Sequence, residues 1–142
     1  MKKTELIPLT ILHATEDETI KGRTRMQKLS FMVQQEADYP KKYIFKPYDY
    51  GPFCSEAYSD LDDLEERGLV KEETEYIEGK AHYFYSITED GKHWLYELEN
   101  KYQFTDKDVV KDIVSKWENK NLSKLLSHVY SEWPRYASES VI

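Results

Sequence analysis

The sequence predicts an α+β fold, mainly α, and three observations carry that reading. Apolar residues recur at three- and four-residue spacing in several segments separated by turn signals. Residues 70–77 and 81–87 read instead as the two arms of a β-hairpin, with Glu78-Gly79-Lys80 as the turn. The 142 residues are the size of one ordinary domain, which buries roughly two thirds of its unfolded surface without covalent staples.

In chain order, Leu6, Ile7, Leu9, Ile11 and Leu12 suit a short helix with Pro8 near its first turn. Thr15 to Glu18 match a capping box, but no apolar run follows, so this stretch reads as a loop ending at Lys21-Gly22. From Arg23, Met26, Leu29, Met32 and Val33 mark a second helix that ends near Ala37. Tyr43, Phe45 and Pro47 alternate with Ile44 and Lys46, as in a short edge strand. Tyr50-Gly51-Pro52-Phe53 is a turn, and Ser55 reads as the N-cap of a third helix over about 55–67. Ala57, Tyr58, Leu61 and Leu64 form its apolar stripe, and Gly68 its C-cap.

After the hairpin, Thr88 caps a helix bearing Trp94, Leu95 and Leu98. Thr105 to Asp108 nearly match a capping box for the next helix, whose apolar side is Val109, Val110, Ile113, Val114 and Trp117. Asn121 caps a last helix through Leu122, Leu125, Leu126 and Val129, and Pro134 stops it. There is no internal repeat. Residues 1–104 read as one domain. Residues 105–142 read as a helical extension that either packs on it or forms a homodimer contact.

Composition excludes several classes. With 39% apolar and 33% charged residues, the chain is neither fibrous nor low-complexity. No apolar run approaches the roughly 20 residues that span a bilayer, and Pro8 and Thr10 break the one near the N-terminus. No membrane and no signal peptide are expected. The single Cys54 forbids an intrachain disulfide and fits a reducing, cytoplasmic setting. His13, His82, His93 and His128 lack metal-ligand spacing, and no phosphate loop, GxSxG or HExxH occurs. No catalytic residue, metal or cofactor is expected.

The net charge of −7 is unevenly spread: residues 21–47 carry +5 and residues 48–100 carry −11. In the basic stretch, Lys21, Arg23, Arg25 and Lys28 cluster at the start of the second helix, a place that favours phosphate. Lys41 and Lys42, with Lys46 and the neighbouring aromatics, extend the set as candidate nucleic-acid contacts. The alternative is a solvated face paired with the acidic helix next to it. Among 14% aromatic residues, Tyr48, Tyr50 and Phe53 sit on a turn stiffened by Gly51 and Pro52. They either dock a partner or plug the core. Glu56, Asp62, Asp63 and Glu66 on the third helix complete the candidate protein-interaction set.

The order of helices, strand, helix and hairpin is the winged helix-turn-helix arrangement, with a small antiparallel sheet and additional C-terminal helices. Leu61-Asp-Asp-Leu64 through Gly68-Leu69-Val70, then Tyr85-Ser86-Ile87-Thr88 and Gly91, resemble the pattern of PadR-like and MarR-like regulators. Gly22 to Leu29, Tyr48 to Phe53, and Leu125-Leu126 to Trp133-Pro134 resemble the YwgA-like prokaryotic proteins over nearly the whole chain. In layout they also resemble the Panacea domain of SocA-like antitoxins. Cys54 departs from the related turn, which usually has Ser there.

In a winged helix, the helix before the hairpin usually enters the DNA major groove. Here its outward positions hold six acids against Arg67, which opposes phosphate contact. The sequence therefore predicts a non-catalytic regulator or adaptor that binds a protein, as the Panacea resemblance also implies. The alternative is a DNA-binding transcription regulator using the basic start of the second helix. An enzyme is the remaining reading.

Overall fold

A computed structural model describes residues 1–141. Among these, six α-helices and five short strands follow in the order α1 (Leu6–Ala14), β1 (Ile20–Lys21), α2 (Arg23–Glu36), β2 (Lys46–Tyr48), β3 (Gly51–Phe53), α3 (Ser55–Glu66), β4 (Val70–Ile77), β5 (Lys80–Ile87), α4 (Glu89–Tyr102), α5 (Lys107–Trp117) and α6 (Leu122–Glu132). The architecture is α+β and mainly helical, with a small antiparallel sheet. Short 3-10 turns precede α1 and follow α6.

The helices share one core. Every residue from Leu6 to Leu12 is buried, so α1 is enclosed on all sides. In α2, nine successive residues, Met26 to Gln34, are buried. The periodic stripe Met26, Leu29, Met32 and Val33 therefore marks only part of what faces inward. A central helix must also bury its polar positions, and each then needs a hydrogen-bond partner. The C-terminal helices join the same core: α5 packs on α1 and α2, and α6 packs on α2. Leu125, Leu126 and Val129 are buried there, with Trp117 and Leu122 half-buried against the core.

The stretch read as a loop before Gly22 contains strand β1, which lies against β5 with Ile20 opposite Tyr85. Two residues are too few to show a period, and the strand exists because β5 supplies its partner. The sheet order is β1-β5-β4. Gly22 then turns into α2 at φ 86°, a value that glycine alone adopts without strain, and its N–H donates to the Tyr83 carbonyl at 2.8 Å.

The hairpin turn is tighter than the three residues expected. Glu78 and Gly79 alone connect the strands, both with positive φ, the geometry of a two-residue type I′ turn. The edge strand expected over 43–47 is shifted. Tyr43 and Phe45 point inward, but only Lys46–Tyr48 pairs, with β3. Pro47 lies opposite Pro52, so neither missing N–H interrupts a bond.

Two expected caps are also replaced. Cys54, not Ser55, is the N-cap of α3, and no side chain caps that helix. Asp106 heads α5, but its carboxylate accepts from the Asp38 N–H instead of capping. The other two caps form as the sequence predicts. Thr88 Oγ1 accepts from Gly91 N–H and Asn121 Oδ1 accepts from Lys124 N–H, each at 2.9 Å.

Candidate functional site

The structure splits the basic stretch into two places. Lys21, Arg23 and Arg25 border a groove of about 660 Å³ beside His82, Tyr83 and Lys120. Of these, Lys21 is exposed on β1. Arg23 is engaged within the chain: its guanidinium pairs with Asp62 and lies 3.4 Å from Glu72. It also sits over the rings of Tyr58 and Tyr85, at 5.1 and 5.5 Å. Arg25 donates to the carbonyl of Lys120 at 2.6 Å and of Trp117 at 3.4 Å, closing the end of α5. These carbonyls compete with any phosphate for the same donors.

Lys28 does not face solvent. It is 2% exposed, and its ammonium donates to the Pro52 carbonyl at 2.9 Å. Burial without an acidic partner pushes its pKa down to about 8. As a phosphate contact this residue is therefore corrected: it is a core residue that fastens the Gly51-Pro52 turn to α2.

The acidic set is similarly used inside the molecule. Asp62 pairs with Arg23, and Asp63 with Arg67 one turn on. Glu56 pairs with Lys2 at 3.1 Å. Glu66 is exposed and has no basic partner among the described residues. The helix that carries them is anchored by one of the six acids expected on its outward face, which the structure instead places inside. Asp60, almost fully buried, accepts from Lys2 Nζ at 2.6 Å, Thr4 Oγ1 at 2.7 Å and Tyr43 Oη at 2.6 Å.

Lys41 and Lys42 meet the aromatic turn in a second groove, of about 600 Å³. One wall is the extended segment from Lys41 to Tyr48. The other is Phe53 to Glu56. Along the first wall the side chains alternate: Tyr43 and Phe45 are buried, while Lys42, Ile44, Lys46 and Tyr48 are exposed. Ile44 is 80% exposed and Tyr48 55%. Tyr50 stands at the tip of the turn, 48% exposed, while Phe53 is half-buried between Tyr48 and Tyr58. None of Lys41, Lys42 and Lys46 has an acidic partner among the described residues.

Both walls are held by α2. Gln27 clamps the backbone of Cys54, donating to its carbonyl at 2.9 Å and accepting from its N–H at 3.1 Å. Gln34, two turns on, clamps Tyr43 in the same way, at 2.8 and 2.9 Å. The seven-residue spacing puts both amides on one side of the helix. Each pair reproduces the two-bond pattern of a strand partner, so the groove's backbone is fixed although little of it is in a sheet. Gln27, Gln34 and Ile44 are the residues sequence reasoning missed. The signal available for Ile44 is the alternation of residues 43–47, which sets Ile44 and Lys46 opposite Tyr43 and Phe45.

Among the described residues, no group of three or more His, Cys, Asp or Glu is placed to hold a metal ion, and Cys54 is a buried free thiol. No helix among them is long and apolar enough to cross a membrane. No protein-family model matches the chain, and no curated protein matches it.

Proposed function

We propose that this chain is a non-catalytic, winged-helix regulatory or adaptor protein that binds a protein partner in the groove between residues 41–48 and 53–56. The winged-helix reading is supported by α1, α2 and α3 preceding a β4–β5 hairpin, with β1 as third strand. The observation that carries the functional reading is the groove itself. Exposed apolar residues, Ile44 and Tyr48, stand among three lysines that lack internal counter-charges, on a backbone clamped by two buried glutamines. A preformed surface of this kind loses little conformational freedom on binding. Its charge suits a segment of a partner that is acidic and carries one or two apolar side chains.

The test is a photo-cross-linking residue placed at Ile44 in the native cell, with a second at the distant position Tyr96 as control. The expected result is a discrete protein adduct at 44, absent at 96 and lost when Lys41, Lys42 and Lys46 are changed to Glu. Adducts to nucleic acid, or adducts that survive the charge reversal, would overturn the reading.

A DNA-binding reading rests on the other groove, where Lys21, Lys120 and His82 border the start of α2. Anisotropy of labelled duplex DNA at about 50 and 200 mM salt separates the two readings. Steeply salt-dependent binding favours DNA, and its absence favours the adaptor.

A further inference from the structure

We propose that the groove of residues 41–56 is filled by the β4–β5 hairpin of a second copy of this chain, edge to edge. The inference rests on the reading of that groove as a protein-docking surface and names its occupant.

The groove is a strand pair that opens before it ends. Pro47 and Pro52 lie opposite each other without N–H groups, so Lys46 and Phe53 form the hydrogen-bonded pair beside them. Along an extended chain the main-chain groups alternate sides. Those of Tyr43 face α2, where Gln34 takes both. Those of Lys42 and Ile44 face the other way, as Lys46 does. After Cys54 the chain turns into α3, so no strand continues opposite them. Among the described residues, nothing hydrogen-bonds to the N–H or C=O of Lys42 or Ile44.

Strand β4 carries the matching edge. It is the outer strand in the order β1-β5-β4, and Glu73 to Ile77 are all exposed. Thr74 lies opposite Tyr83, whose carbonyl faces away from β4 to accept from the Gly22 N–H. Thr74, and Tyr76 two residues on, therefore point their own N–H and C=O outward, where the sheet ends. Tyr76 is 76% exposed and Ile77 45%, so this free edge is also apolar.

Charge decides which edges meet. The groove presents Lys41, Lys42 and Lys46, and its one acid, Glu56, is already paired with Lys2. On the hairpin, Glu73 is held by Lys71, while Glu75 and Glu78 have no basic partner among the described residues. Two hairpins repel each other, and so do two grooves. Only the mixed pairing is attractive. Ile44 and Tyr48 then meet Tyr76 and Ile77, which adds apolar contact to the main-chain bonds. Each copy has one hairpin and one groove, and a reciprocal exchange about a two-fold axis closes the pair as a dimer.

The experiment is sedimentation equilibrium of the full chain at about 50 mM salt and about 10–500 µM protein, a range that reaches small interfaces. The expected result is a mass that rises with concentration from monomer towards dimer. Lys42→Glu with Lys46→Glu should weaken association at least about tenfold, and so should Glu75→Lys with Glu78→Lys. Mixed in equal amounts, these two variants should associate again, because each supplies the edge that the other needs. Thr74→Pro tests the main-chain part. It removes an outward donor that the hairpin does not use, so the fold should survive, checked by its thermal melt, and association should be lost. A monomer throughout that range overturns the inference. So does association that survives Thr74→Pro in its folded state, that the charge variants leave unchanged, or that their mixture does not restore. A monomer that cross-links through position 44 to a different protein also overturns it, and leaves the groove's role in docking intact.

Discussion

The ammonium of Lys28 donates to the carbonyl of Pro52 from a position that is 2% exposed, with no carboxylate beside it. Folding therefore removes a positive charge from water and returns one hydrogen bond. Its pKa falls from 10.5 to about 8 on burial. A lysine with a lowered folded pKa binds fewer protons in the folded state than in the unfolded one. Stability must then rise as pH climbs from about 8 towards about 10.5, and the full penalty applies below 8. The difference corresponds to about 3 kcal/mol.

Lys28→Met should therefore stabilise the chain at pH 7. The gain is about 1–2 kcal/mol, because the Pro52 carbonyl loses its donor and offsets part of the relief. Between pH 7 and 9.5 the gain should shrink by roughly 2 kcal/mol. Urea denaturation of both proteins at the two pH values checks it. The tyrosines do not mask this window. Burial raises the pKa of Tyr39, Tyr43, Tyr58 and Tyr85 above the ordinary 10, so through them stability is lost as pH rises towards and past 10, but both proteins carry them and the loss cancels in the difference.

Arg23 gives the second prediction. Its guanidinium holds α2 to α3 through Asp62 and to β4 through Glu72, and Tyr85 donates to the same Glu72 at 2.7 Å. Arg23→Ala should cost about 1–2 kcal/mol, since it removes part-buried ion pairs and uncovers the faces of Tyr58 and Tyr85. Chemical denaturation in urea measures the loss. If Arg23 served DNA instead, the variant would keep its stability and lose salt-dependent affinity for a duplex.

How much of this was legible depended on how local the cause was. The Thr88 and Asn121 caps, the hairpin arms and the stripe of α2 are set by neighbours within a few residues, and the sequence pattern reports them. Lys28 and Arg25 read as surface cations because both lie at the start of an amphipathic helix. What buries Lys28 is the Gly51-Pro52 turn, and Tyr130 closes over that turn from α6. What occupies Arg25 is the end of α5, more than ninety residues away in sequence. Strand β1 depends on Tyr85 and Phe84 in the same manner. The groove of residues 41–56 was half visible: its lysines and tyrosines stood out, while the glutamines that hold it looked like ordinary helix surface.

Gly91 carries the last prediction. It lies in the first turn of α4, where a methyl group would meet the Leu69 carbonyl oxygen at 2.0 Å and the Ile87 side chain at 2.7 Å. The oxygen cannot retreat easily, because it accepts from Thr88 N–H at 3.1 Å and belongs to the turn that joins α3 to β4. Thr88 adds a second tie to that turn through the Gly68 carbonyl at 2.7 Å. The close approach thus fixes the start of α4 against the base of the hairpin. Gly91→Ala should lower stability by about 3 kcal/mol or more, despite alanine's better helix propensity, because backbone must move. Gly79→Ala, where a methyl group has open space and only the positive φ resists, should cost about 1 kcal/mol. Thermal melts of the two variants side by side distinguish a steric cause from a general intolerance of alanine. Equal losses at both positions would show that the contact with Leu69 does not hold the helix in place.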